Sequence, residues 1–148
     1  MKLSTASINE FKKLLEKRKS DLPRIAENII KRVCEEGLEN NYTSTEMLPI
    51  EHSGKTISGG IHTTDEKDTY KEFGTGIVGS NSPHVNEMLA IMGWKYDVNE
   101  HGEKGWVYPK GDGTFGWTRG LEAQKKFYNA MLRMQDIFYK IAIEEFNK

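Results

Sequence analysis

The chain has little of what most small functional classes require. It carries one cysteine, Cys34, so no disulfide framework can form within it. Cys34 lies inside an amphipathic helical pattern, where a buried or half-buried thiol is expected. No apolar run approaches membrane-spanning length, and the segment from Met1 to Thr5 lacks the apolar core of a secretory signal. Synthesis in the cytoplasm is therefore the expectation, and on it the Asn41-Tyr42-Thr43 sequon is a chance match. Charge of one sign is missing too. The 21 Lys and Arg residues against 22 Asp and Glu leave a net charge of −1, which excludes a bulk bias toward nucleic acid or anionic membrane.

Catalytic and metal-ligating patterns are equally scarce. His52, His62, His84 and His101 are scattered, and none has a partner at metal-ligand spacing. Ser80 and Ser82 do not sit in a nucleophile-elbow pattern. No catalytic residue, metal or cofactor is expected. The 148 residues are most economically one domain, 1–148, long enough to bury a core without a disulfide or a structural metal.

What is present divides at the stretch from Tyr70 to Pro83. Before it the pattern is helical. Ser7 caps a first helix, with Glu10 three residues on and Ile8, Phe11, Leu14 and Leu15 at helical spacing, as far as about Lys19. Ser20, Asp21 and Pro23 then restart a second helix, whose stripe is Leu22, Ile25, Ile29 and Val33. Residues 40–49 have linker composition. A strand is expected from about Thr56 to Thr64, weakened or bulged at Gly59-Gly60, and Asp65 to Asp68 turns it to pair with a second strand, Tyr70 to Phe73.

Gly74-Thr75-Gly76-Ile77-Val78-Gly79 satisfies G-x-G-x-x-G, but the motif needs a buried apolar strand before it and a helix opening inside it. Tyr-Lys-Glu-Phe precedes and Ser-Asn-Ser-Pro follows, so a flexible glycine loop from Gly74 to Ser82 is the expectation. Pro83 to Ile91 suits a short helix with Val85, Met88, Leu89 and Met92 on its apolar side. Beyond Gly93 aromatic residues recur. Trp94 and Tyr96 share one strand face and Trp106 and Tyr108 another, which predicts a projecting hairpin with its loop at residues 99–104 and a second turn at residues 110–113. A closing helix is expected from near Leu121, with Phe127, Ala130, Met131, Met134, Ile137, Phe138 and Ile141 as its core stripe.

The order of these pieces resembles the tailed-phage minor tail component family. Pro49 followed by Ser53-Gly54-Lys-Thr-Ile57-Ser58 is similar to its Pro-x-x-Thr-Gly-x-Leu segment, and Glu72-Phe73-Gly74-Thr75 to its aromatic-Glu-aromatic-Gly-Thr segment. Gly120, Ala123, Phe127 and Ala130 match its Gly-x-x-Ala-x-x-Phe-x-x-Ala closure, with one extra residue before the phenylalanine. The resemblance implies an α+β fold, with an antiparallel β-sheet packed against long N-terminal and C-terminal helices.

The same resemblance implies a homo-oligomeric ring of six subunits at the head–tail neck, a tail-completion or tail-terminator component between a head-side adaptor or stopper and the tail tube. DNA would pass through without sequence-specific binding. No membrane is involved, and the protein would move from host cytoplasm to the virion neck. On this reading Phe73, Gly74, Thr75, Gly76, Trp94, Tyr96, Trp106 and Tyr108 form docking surfaces. The alternative is a monomeric binding module that uses Trp94, Trp106 and Trp117 as a ligand platform.

Overall fold

Good helix formers dominate the first part of the chain, and it forms one 34-residue helix, α1 (Thr5–Leu38), in the computed structural model, which describes residues 5–85, 93–97, 100 and 104–148. The expected break at Ser20–Pro23 is absent, and Pro23 lies inside the helix. Proline cannot donate to the Lys19 carbonyl, but the following turns are clamped by tertiary packing, which outweighs one missing bond. The Ser20 hydroxyl, expected to cap a new helix, instead donates to the Lys17 carbonyl at 2.7 Å. Asn40, in the left-handed region at φ 59°, ends α1, and the Asn41 side-chain amide donates to the Gly37 carbonyl.

Residues 40–49 are more than a linker. They supply β1 (Thr45–Met47), which pairs antiparallel with β4 (Ile61–Thr63), while β2 (Glu51–Ser53) pairs with β3 (Thr56–Ser58) inside the same hairpin. The expected strand from Thr56 to Thr64 is thus two strands, broken at Gly59-Gly60 opposite Pro49, which has no amide to continue the ladder. Gly59 lies against Ile30, and β1, β3 and β4 all pack on α1.

The Tyr70–Phe73 strand does not form. Its residues end a helix, α2 (Glu66–Phe73), capped by the Asp65 carboxylate, which accepts the Lys67 amide. The short helix α3 (Gly76–Asn81) stands where a flexible loop was expected. Residues 83–85 are not helical, and the rest of the helix expected to Ile91 lies outside the described residues.

The aromatic hairpin is shifted by one turn. β5 (Trp106–Pro109) pairs with β6 (Phe115–Thr118) around the Lys110–Gly113 turn, and Trp94–Tyr96 form no strand. Asp112 holds that turn by accepting the amide and the hydroxyl of Thr114. Next, β7 (Gly120–Leu121) bridges Thr75 and Gly76. That pairing, together with Lys125 at φ 58°, delays the closing helix, α4, to Lys126–Phe146.

With four helices and antiparallel strand pairs among the described residues, the fold is α+β. The core lies between the two terminal helices. Ile25, Ile29 and Val33 of α1 meet Ile141 of α4, and Met134, Ile137 and Ala142 pack against them. The helices run antiparallel: Met134 lies against Gly37, whereas the Arg18 guanidinium donates to the Phe146 carbonyl near the other end. Arg32 bridges Glu144 and Glu145 across the seam. Cys34 is buried as expected, and burial, with the Glu35 charge, raises its thiol pKa.

Candidate functional site

Capping at Asp65 sets the phase of α2, and that phase turns Asp68 and Glu72, four residues apart, inward together. Both carboxylates are buried. Asp68 accepts bonds from the Ser44 hydroxyl, from the Thr63 hydroxyl at 2.6 Å and from the Lys71 ammonium at 2.7 Å. Burial alone would raise its pKa. The Lys71 ammonium and the two hydroxyls outweigh burial and hold it down to about 2.

Glu72 ties together four parts of the chain. Its Oε2 accepts the Phe127 amide at 2.9 Å and the Tyr42 hydroxyl at 3.1 Å. Its Oε1 accepts the Tyr128 amide at 2.9 Å and lies 3.3 Å from His84 Nε2. Lys125 makes no side-chain cap on α4, so a carboxylate more than fifty positions earlier serves as the cap. Three donors, joined by the His84 ring in the tautomer that carries its proton on Nε2, fill a carboxylate's acceptor sites. A general base needs a lone pair turned toward substrate, and Glu72 has none to offer. Burial and the Glu72 charge push the Tyr42 phenol upward, so it stays a neutral donor.

Aromatic rings enclose this cluster. Phe73 stands edge-on to His84 and Trp94, His84 edge-on to Tyr128, and Tyr42 lies 5.8 Å from Phe127 with the Lys126 ammonium 4.9 Å from the centre of the Tyr42 ring. A cavity of about 350 Å³ opens beside the carboxylates, lined by Thr63, Thr69, Phe73, Phe127, Tyr128 and Met131. Among the described residues no group of three or more His, Cys, Asp and Glu side chains could hold a metal ion. His52 pairs with Glu27, away from His84, and His101 lies outside the described residues.

The glycine motif has a packing explanation. A side chain at Gly74 or Gly79 would press on the backbone of Leu121, and one at Gly76, at φ 61°, would strike the Arg119 carbonyl. From the other side, a Cβ at Gly120 would overlap the Thr75 carbonyl. Two glycine-bearing backbones lie in direct contact here, and no phosphate-sized gap separates them.

Of the eight residues expected to form docking surfaces, Gly74, Thr75 and Gly76 are buried under β7. Phe73 and Trp94 are half-buried against each other. Tyr96 is half-buried as well; its carbonyl accepts the Gly76 amide and its hydroxyl accepts the His84 amide. Trp106 is half-buried, and Tyr108, more exposed, lies over Gly116.

The open apolar surface is on the other face of the hairpin, where register puts Val107 opposite Trp117 and Pro109 opposite Phe115. All four are exposed. A second open surface runs along α4. Met131 and Phe138, expected in the core, are exposed, and Leu132, Tyr139, Ile143 and Phe146 line the side turned away from Ile141. Such a second apolar stripe is visible in the helical spacing of the sequence, but only once the first is known to cover α1.

No protein-family model, no curated protein and no solved structure matches this chain. No helix among the described residues is long and apolar enough to cross a membrane.

Proposed function

We propose that this chain is a structural subunit that closes into a ring at a phage head–tail neck, as a tail-completion or tail-terminator component between the head-side connector and the tail tube. The observation that carries the reading is the mismatch between polar and apolar groups. The buried carboxylates of Asp68 and Glu72 are taken up by donors of the chain itself, whereas two large apolar surfaces, on the β5–β6 hairpin and on the outer side of α4, remain uncovered. Two different sticky surfaces on one chain suit head-to-tail contacts that close on themselves. The order of segments that resembles the minor tail components supplies the neck and the phage; ring closure supplies the mechanism, with six subunits as the expected number. A near-zero net charge suits a channel that DNA must leave freely.

Deleting the gene from the phage or prophage that carries it is the direct test. Unjoined heads and tails are expected to accumulate; joined, infectious particles from the deletion would end the reading. The second reading, an aromatic ligand platform, is favoured by Phe115 and Trp117 standing exposed on one hairpin face. It requires a tryptophan-fluorescence shift on titration with glycans or peptides, and a flat response across a broad panel counts against it.

A further inference from the structure

The hairpin face consists of Val107, Pro109, Phe115 and Trp117, paired across β5 and β6. Val107, Phe115 and Trp117 are 62%, 71% and 60% exposed. The turn at Lys110–Gly113 carries this face outward, and its reverse is occupied by Tyr108 over Gly116. On α4, Leu132, Tyr139, Ile143 and Phe146 recur at spacings of seven, four and three, which puts them in one row about 20 Å long. Tyr139 is 76% exposed and Ile143 61%.

Each surface leaves roughly 400 Å² of apolar side chain in water, given 150–250 Å² for each large ring. A stable interface buries about 1,200–2,000 Å² in total, of which rather more than half is apolar. The two surfaces together supply that apolar share for one interface. Hairpin against hairpin, or stripe against stripe, would leave the other surface uncovered on every copy. Hairpin against stripe covers both and leaves neither over, because every copy carries one of each.

We infer that the Val107–Trp117 face of one subunit docks on the Leu132–Phe146 side of α4 of a second copy. This deepens the ring reading and rests on it. Trp117 and Tyr139 sit centrally in the contact, where large aromatic anchors carry most of the binding energy. The contact is heterologous, so each subunit donates its hairpin to one neighbour and receives a hairpin from the other.

The test uses the full chain. Trp117→Cys and Tyr139→Cys replace exposed side chains, and circular dichroism with thermal melting shows that each variant still folds; because each removes one anchor, the mixture is held well above its own measured midpoint of assembly. Cys34 is buried and contributes little background. Mixing the two variants with a short bis-maleimide is expected to give a covalent dimer whose linked peptide joins positions 117 and 139, while neither variant alone yields one. Self-linking of either variant alone at comparable yield overturns the inference in favour of a two-fold contact. Rings seen by native mass spectrometry or negative stain without the 117–139 link overturn it and leave the ring reading standing; chains that stay monomeric both alone and mixed with tails from a phage lacking the gene overturn both. Trp117→Ala is expected to raise the concentration of half-assembly by about tenfold or more, and an unchanged midpoint contradicts the assignment.

Discussion

Glu72 is the side chain on which the fold leans hardest. It is 4% exposed and receives the Phe127 and Tyr128 amides at the start of α4, the Tyr42 hydroxyl from the segment after α1, and His84 from beyond α3. Glu72→Gln keeps the shape. It removes the negative charge at a helix N-terminus, worth up to about 2 kcal/mol when partly buried, and turns an amide NH2 toward donors that need an acceptor. A loss of about 2–3 kcal/mol follows from one charge-assisted bond broken beside an unsatisfied amide. Glu72→Ala strands all four donors and should cost about 3–5 kcal/mol, a large share of the 5–15 kcal/mol that holds a domain together. Urea titration followed by tryptophan fluorescence reads the totals. At roughly 2–4 °C per kcal/mol for a chain of this size, Glu72→Gln should melt about 4–12 °C lower. Amide hydrogen exchange reads the cause, since the amides of Phe127 and Tyr128 should lose protection before the rest of α4. A change below about 0.5 kcal/mol, the range of surface substitutions away from such features, with those two amides still protected, would refute the role assigned to this carboxylate.

Other substitutions separate the remaining interactions. Pro23→Ala restores a donor for the Lys19 carbonyl inside α1 and should stabilise the protein by about 1–3 kcal/mol; an unchanged or lower melting temperature means that the proline is matched to a bend the helix needs. Gly120→Ala puts a Cβ into the Thr75 carbonyl at φ 113° and should cost more than about 2 kcal/mol in urea titration, whereas Gly111→Ala, with open space around it, should be nearly neutral. Asp68 has a folded pKa of about 2, below its unfolded value near 4, so its contribution is complete above pH 4 and is lost as pH falls from about 4 to 2. Arg32 lowers Glu144, and Lys148 with Arg32 lowers Glu145, so both act in the same direction. Melting temperature against pH should fall steeply in that window for the wild type and less steeply for Asp68→Asn; equal slopes would remove Asp68 from the account.

The terminal helices were legible because each repeats an apolar residue every three or four positions over many turns. The stripe Ile25, Ile29 and Val33 and its partners Met134, Ile137 and Ile141 are where periodicity places them. Pro23 misled because a local stop signal was weighed without the tertiary clamp that follows it. Helix α2 was missed for a different reason. Its inward face is polar, Asp68 and Glu72, so hydrophobic periodicity is silent, and the four-residue window at Tyr70–Phe73 imitates a strand. Only the Asp65 cap announced the helix.

The site followed the same division. Tyr42, the Asp68–Glu72 pair and His84 are far apart in sequence, and nothing short of the fold brings them together. The glycines at 74, 76 and 79 were visible, but their reason, the backbone of residues 119–123 lying against them, was not. On the hairpin, tryptophan and tyrosine drew the eye to the Trp106 and Tyr108 face, while pairing with Phe115–Thr118 makes the opposite face the open one. Register decides which side faces water, and register came from a turn one step further along the chain.

Ring closure is the claim on which the functional account stands. Native mass spectrometry over a concentration series, with negative-stain images of the same samples, tests it most directly, using the purified chain alone and the chain mixed with tails from a phage lacking the gene. The account predicts closed rings of one size, in the mixed sample if not in the first. A chain that remains monomeric in both would contradict it.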